Sequence, residues 1–246
     1  MTFHLLKTAY FYDIICLQDK DAEERKLYKE SKFLIYRFLR AVGSPVFRFI
    51  FRPEIAGAEN IPQNGAVIIA GNHKHALDPI LIDISTKRIV RTLAKKELHD
   101  GPFGFIFRST GTIPVDLHSS RNKAALESAV EVLMHGGTIN LSPEAKRNYT
   151  NELLLPFKYG AVAMSRRTNT PIVPYSVTGD YRLFSKNLKV TFGRAFYPDT
   201  SSDDLYNANR ELYEKILELL TENTDKKVLE TKHITSFDEW EKKNSR

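Results

Sequence analysis

After residue 65 the chain alternates between two patterns, and this alternation restricts the possible folds more than any other feature of the sequence. Short apolar runs, such as residues 66–70 and 172–177, are typical of buried strands. Between such runs lie segments with apolar residues at helical spacing. Strands that alternate with helices predict an α/β domain with a mixed, largely parallel sheet flanked by helices. The predicted strands are residues 66–70, 90–94, 111–115, 138–141, 172–177 and 188–192, and the predicted helices are residues 78–84, 122–135, 158–169 and 208–220.

Length and composition fit one such domain with an appendage. A chain of 246 residues with 42% hydrophobic residues can bury one full-sized core. We therefore divide the chain into an N-terminal amphipathic helical segment (residues 1–52), an α/β domain (residues 53–221) and a C-terminal polar tail (residues 222–246). The single cysteine, Cys16, excludes an intrachain disulfide and a zinc site built from thiolates.

The N-terminal sequence gives no sign of a targeting or membrane-spanning segment. It has no small-residue cleavage site, and Asp13 separates two short apolar runs, so a signal peptide is not expected. No stretch of the chain reaches the ~18 apolar residues that a spanning helix needs. We therefore expect a cytoplasmic protein.

Residues 25–52 combine strong positive charge with many aromatic side chains. Eight lysines and arginines stand against one acidic residue, Glu30, so this segment is more positive than the whole chain with its formal charge of +6. Such a composition suits a helix that lies on an anionic bilayer. An ordinary amphipathic helix packed on the core explains the same composition, and composition alone slightly favours it. Nucleic-acid binding is a weaker third possibility.

Two predicted loops carry polar residues of chemical interest, residues 71–78 and 142–147. Both follow predicted strands, and in sheets of this class the chemistry lies beyond the carboxyl ends of strands. We therefore expect the two loops to converge.

The first of these loops contains His73 and Asp78. On a continuous helix the two side chains would point ~140° apart, but a turn could fold the carboxylate back toward the imidazole. Such a pair fixes the ring tautomer and leaves the other ring nitrogen free to accept a proton. Alternatively, Asp78 only caps a helix that begins at Pro79, and His73 is an ordinary loop residue.

The string NHKHALD at residues 72–78 resembles the NHx4D motif of the glycerolipid acyltransferases, in particular the 1-acylglycerol-3-phosphate acyltransferases. Further strings resemble other blocks of that family and follow the family's order. They are KKEL at 95–98, GTIPVD at 111–116, SPEAKR at 142–147, LPFKYG at 155–160 and TPIVP at 170–174. The resemblance therefore covers residues 65 to 195.

This resemblance implies a reaction and a set of roles. His73 would be the general base that deprotonates an acceptor hydroxyl as the hydroxyl attacks an acyl thioester, and Asp78 would orient it. No serine or cysteine nucleophile is required, and the sequence has no G-x-S-x-G elbow. Arg147 would contact the acceptor's phosphate, because a guanidinium can bind two phosphate oxygens, and Asn72 would shape the loop. The predicted substrate-binding residues are Asn72, Lys95, Arg121, Glu144, Lys146 and Arg147.

The implied partners are a lysophospholipid acceptor, a donor that is either acyl-CoA or acyl carrier protein, and an anionic membrane surface. Neither a cofactor nor a metal nor nucleic acid is expected, and the product would be phosphatidate. Because the acceptor is a bilayer lipid and family members of known fold place a helical pair near the N-terminus, membrane docking by residues 1–52 becomes the preferred interpretation. We then expect a peripheral protein on the inner face of the cell membrane.

The sequence departs from the family pattern in two blocks that the resemblance assigns to contacts with the acceptor's phosphate. Leu117 stands where the second block ordinarily has an arginine, and Arg121 could replace it. The third block ordinarily reads glutamate, glycine, threonine, arginine, whereas this chain has Ala145 and Lys146 at the two middle positions. Alanine lacks the backbone freedom of glycine. The family resemblance therefore supports the type of reaction more directly than it supports the identity of the acceptor.

Three alternatives remain open. The acceptor could be glycerol 3-phosphate or another lysophospholipid. The chain could be a non-catalytic, basic membrane-binding relative, which Leu117 and the altered third block would favour. His73, His75 and Asp78 also suggest a metallohydrolase, but Pro79 stands where the metallo-β-lactamase type needs a second histidine.

Overall fold

The computed structural model describes residues 35–116, 122–199 and 204–244. Within them the strands are β1 Glu54–Ala56, β2 Val67–Gly71, β3 Val90–Lys95, β4 Ile113–Val115, β5 Thr138–Leu141, β6 Ile172–Thr178 and β7 Lys189–Phe192. The helices are α1 at residues 35–51, α2 Asp78–Ile84, α3 Lys96–Asp100, α4 Gly104–Ser109, α5 Lys123–Met134, α6 Gly160–Thr168, α7 Tyr206–Asn223, α8 Lys226–Leu229 and α9 Phe237–Asn244, with a 3₁₀ turn at Ala58–Asn60.

These strands form one sheet in the order β1-β7-β6-β2-β5-β3-β4. Strands β6, β2, β5, β3 and β4 run parallel to one another. Strand β7 pairs antiparallel with β6, and β1 pairs parallel with β7. The mixed, largely parallel sheet flanked by helices that the sequence predicts is therefore confirmed, and the carboxyl ends of the five parallel strands share one edge.

The central strands are buried on both faces, which explains their uninterrupted apolar sequence. In β2 successive side chains enter different cores, as the strand period of two requires. Ile68 and Ala70 pack with helices α5, α6 and α7, whereas Val67 and Ile69 pack with α1 and α2. The site at the carboxyl edge therefore stands on a rigid two-sided support.

The main strands and long helices lie within one to three residues of their predicted positions, but several short elements were not predicted. Strand β1 and helices α3 and α4 have three to six residues each, which is too short for a hydrophobic period to repeat. Helix α2 begins at Asp78, with Leu77 at the N-cap position, so the prediction that Asp78 caps the helix was wrong by one residue. The Asp78 carboxylate is consequently available for other partners.

Helix α1 packs on the core through one face and is exposed on the other. Phe47 is buried beside α2, the Tyr36 hydroxyl donates to Asp83, and the guanidinium of Arg48 donates to the carbonyl oxygen of Ile84 at 2.7 Å. The exposed apolar side chains of α1 lie on one side of the helix, in an arc of about 100° around its axis. They are Ile35, Phe38, Leu39, Val42, Val46 and Phe49. Residues 1–34 of the predicted N-terminal segment lie outside the described residues.

The C-terminal residues carry more structure than the term polar tail implies. Helix α7 crosses the predicted boundary at 221, and helices α8 and α9 follow it. Phe237 of α9 is buried against the ring of Tyr213, whose hydroxyl donates to the carbonyl oxygen of Thr235 at 2.7 Å. The division into three segments stays a prediction. Among the described residues, no helix has both the length and the apolar character needed to cross a bilayer.

Candidate active site

The two loops singled out in the sequence lie side by side at the carboxyl edge of the sheet. Strands β2 and β5 are parallel neighbours, so the chain that leaves β2 meets the chain that leaves β5. The backbone N–H of His73 donates to Glu144 Oε1 at 2.7 Å, and the N–H of Asn148 donates to the carbonyl oxygen of His73 at 3.0 Å. The expected convergence of these loops is confirmed.

A turn, not a helix, brings the Asp78 carboxylate to the His73 ring. His73 Nδ1 lies 2.8 Å from Asp78 Oδ2. The same oxygen accepts the backbone N–H groups of Lys74 and His75, each at 2.8 Å. Asp78 is only 2% exposed, so these hydrogen bonds form away from bulk water, where they hold the carboxylate in one orientation.

This hydrogen-bond pattern fixes which ring nitrogen of His73 carries the proton. Because two backbone N–H groups can only donate to Asp78 Oδ2, that oxygen acts as an acceptor, and Nδ1 must donate to it. Nε2 of the neutral ring then has its lone pair free, and within the described residues it has no hydrogen-bond partner. The side chain is 26% exposed. His73 can therefore accept a proton from a group that approaches from solvent.

Glu144 is buried beneath the His73 loop and joins it to a third segment. It is 3% exposed, and its second oxygen, Oε2, accepts the N–H of Leu155 at 3.0 Å. Burial raises the pKa of Glu144 to about 7, although the N–H donors of His73 and Leu155 oppose that shift. A substrate contact by Glu144 stays a prediction, but the geometry gives this carboxylate the separate task of holding two loops together.

Ala145 has a φ of 56°, in the left-handed region that favours glycine. The resemblance placed a glycine at this position of the third block, and the backbone has kept the conformation that glycine would adopt without strain. The turn between Glu144 and the following cations therefore keeps its shape at a conformational cost.

Asn72 connects the end of β2 to the end of β6. Its amide Nδ2 donates to the carbonyl oxygen of Val177 at 3.0 Å, and its Oδ1 accepts the N–H of the same residue at 2.7 Å. Both polar atoms are thus engaged with backbone, which supports the loop-shaping role over direct substrate contact.

The remaining predicted substrate-binding residues are cations. Lys95 ends β3 at the same edge of the sheet and is exposed. Lys146 and Arg147 are exposed after β5, and the Arg147 guanidinium lies 5.3 Å from the centre of the Tyr149 ring. Leu117 and Arg121 lie outside the described residues. Among the residues that the structure does describe, no three His, Cys, Asp or Glu side chains are grouped to hold a metal ion.

Comparison with known proteins identifies the family. A family model described as Acyltransferase matches residues 52–178, just over half of the chain. The chain belongs to this acyltransferase family. A 1-acyl-sn-glycerol-3-phosphate acyltransferase of Borreliella burgdorferi is 34% identical over 145 residues, and the match covers 58% of each protein. One of the same name from Helicobacter pylori is 30% identical over 161 residues, and the match covers 61% of this chain and 68% of that protein.

A solved structure has the same fold. The crystal structure of the 1-acyl-sn-glycerophosphate (LPA) acyltransferase PlsC from Thermotoga maritima matches with a TM-score of 0.63 at 20% sequence identity. The match covers 89% of this chain and 95% of the Thermotoga chain. At this identity the similarity supports the α/β architecture.

One residue of the candidate site was missed by the sequence interpretation. The hydroxyl of Tyr181 donates to Asp78 Oδ1 at 2.6 Å across 103 positions of sequence. Burial and the charge of Asp78 raise the pKa of the Tyr181 phenol well above its ordinary value, so the hydroxyl stays a donor. The available signal was topological, because Tyr181 follows the carboxyl end of β6, at the edge where the other two loops lie.

Proposed function

We propose that this acyltransferase moves a fatty acyl chain from a thioester donor to the free hydroxyl of 1-acyl-glycerol-3-phosphate, which gives phosphatidate. The observation that carries the proposal is the His73–Asp78 pair, with Nε2 of the ring free at the edge of the sheet. The names of the relatives from Borreliella and Helicobacter support this choice of acceptor.

In the proposed reaction His73 acts as general base. Nε2 takes the proton of the acceptor hydroxyl while the acceptor oxygen forms a bond to the thioester carbonyl carbon. The carbon–sulfur bond then breaks, and the protonated ring returns the proton to the leaving thiolate. Asp78 holds the ring and stabilises its positive charge between these two proton transfers. These steps need no covalent intermediate on the protein, no cofactor and no metal.

The exposed cations at this edge of the sheet are proposed to bind the charged parts of the substrates. The N–H of Asn148 contacts the carbonyl oxygen of His73, so the backbone of the preceding residue, Arg147, lies beside the loop that carries the base. An arginine can donate hydrogen bonds to two phosphate oxygens of the acceptor, and Lys146 adds a second positive charge. Lys95 is proposed to attract the donor, since acyl-CoA and acyl carrier protein are both acidic.

The acceptor and product are bilayer lipids, so the proposal includes peripheral binding to an anionic membrane, on the inner face of the cell membrane. The exposed apolar face of α1 is the proposed contact. Apolar side chains flanked by arginines are suited to the headgroup region.

A crossed activity assay tests the proposal. The full chain is supplied with either acyl-CoA or acyl carrier protein as donor and with lysophosphatidate, glycerol 3-phosphate or lysophosphatidylcholine as acceptor. We expect the highest kcat/KM with lysophosphatidate. A preference for glycerol 3-phosphate would change the assigned acceptor, and the absence of transfer in every combination would favour the non-catalytic relative.

The same assay tests the base. His73→Ala is expected to lower kcat by a factor of about 100 or more, because proton removal from the acceptor loses its catalyst. His135→Ala is the control, since that exposed histidine follows α5 and its ring contacts only its own helix within the described residues. Activity of His73→Ala within a few-fold of the unaltered chain would remove His73 from the mechanism.

A further inference from the structure

We propose that Tyr181, in the segment between β6 and β7, is a positioning residue that aligns the His73–Asp78 pair, and that α1 holds Tyr181 in place. The inference rests on the roles proposed above for His73 and Asp78. It adds a residue outside the matched family region, which ends at residue 178.

The first step concerns the two oxygens of Asp78. Oδ2 accepts the ring of His73 and two backbone N–H groups, whereas Oδ1 accepts only the hydroxyl of Tyr181 within the described residues. Without that hydroxyl, one oxygen of a carboxylate that is 2% exposed would lack a partner. A buried carboxylate with one unpartnered oxygen is stabilised when it rotates so that this oxygen accepts a hydrogen bond from another donor. Such a rotation would move Oδ2 away from Nδ1.

The second step concerns what holds the Tyr181 ring. It stacks on His75, with ring centres 4.4 Å apart and planes inclined by 24°. The rings of Phe51 and Phe47 from α1 meet it edge-on at 5.7 and 6.4 Å. Edge-to-face contacts of this kind restrict the ring to a narrow range of positions. Helix α1 thus contributes to the geometry of the base although no residue of α1 touches His73 in the described contacts.

The backbone around Tyr181 is also fixed at both ends. Gly179 has a φ of 72°, and a Cβ added there would lie 1.6 Å from the carbonyl oxygen of Asn187. The backbone that enters the segment at Gly179 is therefore in close contact with the backbone that leaves it at Asn187. The side chain of Asp180 pairs with Lys74 of the histidine loop at 3.1 Å. The N–H of Phe184 donates to the carbonyl oxygen of Ile50 at 2.6 Å. The segment therefore joins α1 to the loop that carries the base.

Tyr181→Phe removes only the hydroxyl. We expect kcat to fall about tenfold, as for a lost hydrogen bond to a charged group, while the KM values of donor and acceptor change less than about twofold. Because the Asp78 carboxylate then turns away from Nδ1 and stabilises the protonated ring less, the acid limb of the pH–rate profile should move to lower pH. The groups that face the ring or its loop in the described structure, Asp78, Glu144, His75 and the Lys74–Asp180 pair, are unchanged in this variant.

A double-mutant cycle separates positioning from a general structural effect. In an Asp78→Asn background, Tyr181→Phe should lower kcat by less than about twofold, because the carboxylate it positions is gone. Phe51→Leu, which loosens the edge contact from α1, should lower kcat in the unaltered chain and have little effect in the Tyr181→Phe chain. Tyr197→Phe, at an exposed tyrosine, is the control and should change nothing.

An NMR titration of the His73 ring protons makes the test independent of turnover. The ring resonances, assigned by their loss in His73→Gln, should titrate at lower pH in Tyr181→Phe than in the unaltered chain. This shift is expected even if no lysophospholipid is a substrate, so a failure of the proposed function remains distinguishable. An unchanged titration and kcat, a rise in KM alone, or an equal loss of kcat in the Asp78→Asn background would each overturn the proposal.

Discussion

Ala145 shows how a single residue can retain a conformation that its side chain disfavours. Its φ of 56° costs an alanine about 1–2 kcal/mol relative to the right-handed region. Ala145→Gly should therefore stabilise the fold by about 0.5–1 kcal/mol, because the relieved strain exceeds the added backbone entropy. Thermal unfolding should show a Tm about 2 °C higher. Ala163→Gly, in the regular helix α6, should lower the Tm instead, and a lower Tm for Ala145→Gly would contradict the strain argument.

Glu144 should make stability depend on pH. Its folded-state pKa of about 7 lies above the ordinary value of 4.5, because burial disfavours the charged form. The folded state therefore binds the proton more tightly than the unfolded state. The stability from this group is present below pH 4.5 and is lost as the pH rises to about 7. Urea unfolding at several pH values should show a smaller decline over this window for Glu144→Gln than for the unaltered chain, and equal declines would count against this assignment.

At the scale of elements, Arg88 ties together the amino ends of the central strands, opposite the site. Its guanidinium donates to Thr138 Oγ1 and the carbonyl oxygen of Pro62, both at 2.6 Å, to that of Gly136 at 3.0 Å, and to that of Gly65. A lysine presents its donors from one atom and cannot span these acceptors. One guanidinium thus joins the segments that enter β2, β3 and β5.

Arg88→Lys is expected to lower the free energy of unfolding by about 2–4 kcal/mol, because at least two of the hydrogen bonds to a charged group are lost. Denaturant unfolding measures this change. Arg91→Lys, at an exposed arginine of β3, serves as the matched control and should stay within ~0.5 kcal/mol of the unaltered chain. Equal effects of the two substitutions would show that the shared acceptors do not matter.

At the scale of the whole molecule, α1 links the proposed membrane contact to the α/β domain. A variant with Phe38→Gln and Phe49→Gln should bind vesicles that contain phosphatidylglycerol about tenfold more weakly, because two exposed aromatic side chains no longer enter the headgroup region. Vesicle sedimentation of the full chain measures the binding. Met134→Gln, at an exposed apolar residue of α5, is the control. Unchanged binding of the α1 variant, with its Tm preserved, would assign the contact to another surface.

The sequence by itself determined the features that depend on neighbouring residues. The apolar runs of β2 and β6 predicted buried strands. Successive side chains of a strand face opposite sides of the sheet, so a strand that is buried on both faces has apolar residues at consecutive positions. The position of His73 and Asp78 after a strand allowed their pairing but equally allowed a helix cap and an ordinary loop residue, and the family resemblance favoured the pair. The family resemblance added the proposed reaction, because its motifs are local strings.

Only the tertiary structure decided which distant groups complete the site. Tyr181 reaches Asp78 through the pairing of β6 with β2, and the burial of Glu144 follows from the packing of the segment near Leu155 over its loop. The short helix α3 likewise packs against β3 and β4, and α4 packs against α3, without a periodic pattern of their own. Hydrophobic periodicity specifies which face of an element is buried, whereas strand order and packing decide which side chains from separate elements meet there.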